Sequence, residues 1–134
     1  MDNAGIRARG LLAKAEEDLY AAQCLAGDSK ASLWTVGFHA QQSVEKALKA
    51  VLMGRGIRYP FTHDIAALVK ILSSTGLPFP PNHDDLPYLT PFGTLFRYED
   101  ESWGEPESMD LLRLLKWAKE TICWAKTMFD GDIA

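Results

Sequence analysis

Four polar residues, His39, Gln42, Lys46 and Lys49, follow one another at steps of three and four. That spacing stacks side chains on one side of an α-helix. At about 100° per residue all four fall within roughly 80° of arc, while Val36, Ala40, Val44, Ala47 and Val51 lie nearly opposite. An imidazole and a carboxamide form directional hydrogen bonds, and two ammonium groups attract anions. The ridge therefore reads as a binding face, with Gln41 and Glu45 flanking it. The plain alternative is a solvated surface on which Glu45 and Lys49 make an i,i+4 ion pair worth a few tenths of a kcal/mol.

Other chemistries find less support. The two cysteines, Cys24 and Cys123, form no Cys-x-x-Cys pattern and no Cys/His cluster at zinc spacing, so no metal or cofactor is expected. Each sits within an apolar helical pattern and is expected to be a buried, reduced thiol. A formal charge of -4 argues against binding nucleic acid through bulk positive potential. It leaves room for a local basic group, and Lys46, Lys49, Arg55 and Arg58 fall close together. The polar start, Met1 to Gly5, has no apolar run after it, and no stretch reaches the roughly 18 residues of a membrane span. A cytoplasmic protein without membrane contact is expected.

The elements that must hold the ridge are helices. Leu12, Ala15, Leu19, Ala22 and Ala26 form the stripe of a first amphipathic helix that stops near Gly27 and Asp28. Asp28 or Ser29 is expected to cap the second helix, whose stripe is Leu33, Val36, Ala40, Val44, Ala47, Leu48 and Val51, and which ends at Gly54 and Gly56. So short a connection implies an antiparallel hairpin. A third, shorter helix follows Thr62 or Asp64 with Ile65, Leu68, Val69 and Leu72, and closes at Gly76 and Pro78. Five of the seven prolines then fall between Leu77 and Pro91, which permits only short turns; Leu86, Tyr88, Leu89, Phe92, Leu95 and Phe96 are its apolar anchors. The last helix is expected to start around Glu105 and Pro106, with Leu111, Leu114, Leu115, Ala118, Ile122, Ala125 and Phe129 as its stripe. No alternating strand pattern of useful length occurs. The fold class is all-α: an up-and-down bundle of four to five helices, one domain over residues 1–134, with a proline-rich excursion before the last helix.

The segment Phe38-His39-Ala40-Gln41-Gln42-Ser43-Val44-Glu45-Lys46-Ala47-Leu48-Lys49-Ala50 resembles the signature second helix of prokaryotic HEPN domains. Ala15-Glu16-Glu17-Asp18-Leu19 before it, His63-Asp64-Ile65-Ala66-Ala67-Leu68 after it, and Arg97-Tyr98 ahead of the last helix extend the likeness in the same order, although Glu99 stands where the family commonly has proline. The resemblance implies a helical bundle that usually forms a homodimer. It also implies a minimal nucleotidyltransferase as partner, in a two-gene module of toxin–antitoxin type, with nucleotide or RNA as ligand. Arg97, if it faces the ridge, adds a guanidinium fork suited to phosphate, so the expected ligand-binding set is His39, Gln42, Lys46, Lys49 and Arg97.

The RNA-cleaving branch of that family carries Arg followed after four to six residues by His, near the start of the last helix. Here no histidine follows Arg97, which weighs against an enzyme. One Arg-x4-His string, Arg58 to His63, occurs before the third helix instead. It supplies the weak catalytic candidates of the alternative reading, a metal-independent ribonuclease, with His as acid or base and Arg stabilising phosphate charge. The plain reading of His63 is a hydrogen-bonded residue that fixes the loop to the third helix. Trp34, Trp117, Trp124, Phe129 and the Leu111–Leu115 cluster offer more apolar surface than a bundle of this size must bury, and a twofold dimer through the last helix or the edge of the second is expected.

Overall fold

The computed structural model describes residues 3–94 and 111–130, and over them the chain is helical with no strand. Five α-helices follow in order: α1 (Asn3–Ala26), α2 (Leu33–Gly54), α3 (Ile65–Ser73), α4 (Thr90–Thr94) and α5 (Leu111–Asp130), with a 3-10 turn at Leu86–Leu89 ahead of α4. This is the expected all-α bundle. The expected start of the last helix at Glu105 and Pro106 lies outside the described residues, as do Leu95 and Phe96. No helix among the described residues is long and apolar enough to cross a membrane.

The second helix is the axis of the bundle, packed against α1, α3, α4 and α5. Its buried set, from Val36 and Gly37 through Ala40, Gln41, Ser43, Val44 and Glu45 to Leu52, covers well over half of its circumference. The open arc is narrow. It holds His39, Gln42, Lys46 and Lys49, all half-buried, as are Thr35, Phe38 and Met53 on the same side.

Small residues let α1 approach closely: its buried positions are Ala8, Leu12, Ala15 and Ala22. The connection to α2 differs from expectation at the cap. Asp28 spends its carboxylate inside the turn, accepting from Lys30 N at 2.9 Å, and the N-cap falls to Ser32, which accepts from Thr35 N at 3.2 Å. Asp64 caps α3 by accepting from Ala66 N at 3.1 Å.

The proline-rich stretch is strapped onto α5. Trp124 Nε1 donates to the Pro78 carbonyl at 3.1 Å, and Asn82, in the left-handed region at φ 62, donates to Glu120 Oε2 at 2.9 Å. Leu86, Leu89 and Phe92 are its buried anchors, whereas Tyr88 is exposed. The α4 turn then presses on α2, where a Cβ on Gly37 would overlap the Phe92 ring.

Two expectations about apolar surface are corrected. Trp117 and Trp124, each 7% exposed, Leu114 and Phe129 are used inside the protomer, and Trp34 packs on Phe92 with ring centroids 5.1 Å apart. Of the Leu111–Leu115 cluster, Leu112 is 75% exposed and Leu111 and Leu115 are half-buried. The thiols of Cys24 and Cys123 are free and exposed, because α1 buries only its small-residue stripe and Cys123 lies on the outer side of α5.

Candidate functional site

The α2 ridge carries a carboxylate along each border. From α1 comes Asp18, whose two oxygens reach different rungs of the ridge: Oδ2 accepts from Lys46 Nζ at 2.6 Å, and Oδ1 lies 3.1 Å from His39 Nδ1. A carboxylate can only accept, so Nδ1 of His39 carries a proton and donates to Asp18. This clasp follows from the hairpin: the antiparallel register brings Asp18 alongside the span from His39 to Lys46.

Along the other border lies Glu45, 3% exposed. Burying a carboxylate costs several kcal/mol unless its lone pairs are met, and here they are. Gln41 Nε2 donates to Oε1 at 2.8 Å and Lys49 Nζ donates to Oε2 at 3.0 Å. His63 Nδ1 stands 3.2 Å from both oxygens. Gln42 Nε2 extends the network by donating to Gln41 Oε1 at 2.7 Å. The close approach of α4 fixes this arrangement, since a Cβ on Gly93 would sit 2.5 Å from the Gln41 carboxamide.

The loop between α2 and α3 closes over this border. Tyr59 packs on the core with Lys49 Nζ 5.9 Å from its ring centroid. Burial raises the Tyr59 phenol above the usual value of 10.0; the neighbouring Arg7 opposes the shift and the Glu45 charge adds to it. Two residues on, Phe61 is 94% exposed and meets His63 edge-on at 5.6 Å.

The structure thus brings His39, Gln42, Lys46 and Lys49 together on one strip and adds His63 to it. It does not join Arg58 to His63: Arg58 is exposed, and no hydrogen bond or ion pair among the described residues links the two. His63 instead takes the loop-fixing position on Glu45. Arg97 lies outside the described residues. Sequence reasoning missed Asp18 and Phe61, and it placed Glu45 on the surface. The signal for Glu45 was the width of the buried arc of α2, which the small residues Gly37, Ala40, Ala47 and Ala50 announce.

Electrostatically the strip is balanced. Each lysine has its own carboxylate, so little uncompensated positive potential remains along α2. Chemically it offers two half-exposed imidazoles, each anchored through Nδ1, together with an amide and the remaining N–H groups of two ammoniums. Among the described residues no cluster of three or more His, Cys, Asp or Glu could hold a metal ion. A shallow groove of about 290 Å³ between α1 and α5, lined by Arg9, Leu12, Glu16, Lys126 and Phe129, is separate from the strip.

Among known proteins, the family model of the HEPN domain matches residues 8–128. No curated protein and no solved structure matches the chain significantly.

Proposed function

The chain belongs to the HEPN domain family, and on that premise we propose that it is a binding module rather than an enzyme. In this reading it acts in the cytoplasm as a homodimeric partner of a minimal nucleotidyltransferase, in a toxin–antitoxin-type module, and takes a nucleotide or RNA on the α2 strip. One observation carries the reading: His39 and His63 are each held by a carboxylate on Nδ1. An imidazole fixed through one nitrogen and half-exposed to solvent can meet a ligand at low entropic cost. Expression with the product of the neighbouring gene tests the partner, and titration with nucleoside monophosphates and short RNA tests the ligand. The reading fails if an intact protein binds neither.

A metal-independent ribonuclease is the second reading, favoured by the Glu45–His63 pair, in which a carboxylate orients an imidazole as acid–base chemistry requires. Incubation with RNA in EDTA, alongside His63→Ala, decides it. Cleavage lost in the variant supports the enzyme; equal cleavage by both proteins removes His63 from the mechanism.

A further inference from the structure

We propose that Phe61 is a stacking platform, and that the strip holds its ligand by a planar nucleobase more than by its phosphates. The inference rests on the nucleotide-binding reading above and says which part of the ligand is read.

Three observations carry it. First, Phe61 is 94% exposed on a loop that is held on both sides. Tyr59 is packed on the core before it, His63 is bound to Glu45 after it, and Asp64 N donates to Thr62 Oγ1 at 3.0 Å. The ring is therefore presented by an anchored segment. Its ring meets His63 in a T-shaped contact, and at this exposure a π-face stays open to a base. Second, a group suited to a base edge adjoins it, the His63 ring, and from His63 a hydrogen-bonded chain runs through Glu45 and Gln41 to the carboxamide of Gln42, whose oxygen has no partner among the described residues. Third, the cations that would hold phosphates are already engaged, Lys46 by Asp18 at 2.6 Å and Lys49 by Glu45 at 3.0 Å. Arg58, exposed on the same loop, can meet a single phosphate. A polyphosphate or a long backbone track would find few unpaired charges.

The test is a binding titration of the full chain with the four nucleosides, their mono- and triphosphates, and tripolyphosphate, at two salt concentrations. Wild type, Phe61→Ala and Phe61→Trp are compared; so exposed a side chain leaves the fold intact when replaced. Base stacking predicts that Phe61→Ala weakens nucleotide binding roughly five- to hundredfold and that Phe61→Trp preserves it. Mono- and triphosphates should differ by less than about threefold, with a shallow salt dependence. Affinity that climbs with each phosphate and ignores Phe61→Ala would overturn the inference and leave the nucleotide reading standing. Nucleotide binding kept in Phe61→Ala, with loss of association with the neighbouring nucleotidyltransferase, would also overturn it and assign Phe61 to a protein contact. If neither nucleosides, nucleotides nor short RNA bind wild type, the nucleotide reading falls as well.

Discussion

Nδ1 of His63 stands 3.2 Å from both carboxylate oxygens of Glu45, a residue 18 positions earlier in the chain and almost wholly buried. Through this contact the loop before α3 is tied to the polar strip of α2. The same carboxylate holds Lys49 and receives Gln41, so one buried charge organises residues from two elements.

Glu45 should therefore matter more to stability than its place in a charged helix suggests. Removing it strands Lys49 and frees His63, and the loss of one partner from a buried pair costs about 3–5 kcal/mol. Urea denaturation of Glu45→Ala should show a loss of that order. Lys46→Ala, which opens the more exposed pair with Asp18, should cost about 1 kcal/mol or less. Equal effects would contradict the difference in burial.

The Ser43 hydroxyl is buried with no partner among the described residues. An unmet buried hydroxyl costs about 1–3 kcal/mol, so Ser43→Ala should stabilise the protein, by about 1 kcal/mol once the slightly looser packing is counted. A lower denaturation midpoint in the variant would show that the hydroxyl has a partner.

Gly93 sets the distance between α4 and α2. Gly93→Ala would drive its methyl group into the Gln41 carboxamide, costing about 1–3 kcal/mol and displacing a donor from Glu45. The double variant Gly93→Ala, Gln41→Ala should recover part of that loss, and strict additivity would contradict a direct clash.

Tyr59 predicts a stability change at high pH. Its phenol is raised above 10.0 in the folded protein, first by burial and then by Glu45 against the opposing Arg7. The unfolded chain therefore loses this proton first, and stability falls as pH rises from about 10 through the folded value. Below that window the contribution is fully present. Tyr59→Phe should flatten this part of the pH profile; an unchanged slope would exclude Tyr59 as its source.

The helices were legible because their apolar stripes are long and regular, and Leu12, Val44, Leu68 and Leu114 are core residues as their spacing predicts. The polar ridge was legible for the same reason. Its chemistry was less so. Asp18 reads as one acid among Glu16, Glu17 and Asp18 until the register of the hairpin is known. That register depends on a turn in which Asp28 is consumed internally and Ser32 becomes the cap. Glu45 looks like a surface partner of Lys49 because i,i+4 spacing is blind to the loop before α3, whose His63 reaches it, and to α4, which presses on Gln41. Phe61 follows Pro60 in a loop, and no periodicity marks such a residue as exposed. Cys24 and Cys123 were misplaced because they sit beside apolar neighbours on helices whose buried stripes pass them by.

The central claim is that His39 and His63 are fixed through Nδ1 and meet a ligand through Nε2. Imidazole 15N NMR during a titration with nucleoside monophosphates and a short single-stranded RNA tests it most directly. The account predicts that both rings carry the proton on Nδ1 in the free protein, and that the Nε2 resonances of both move as ligand is added. Binding that leaves both rings unmoved, or free rings protonated on Nε2 alone, would contradict it.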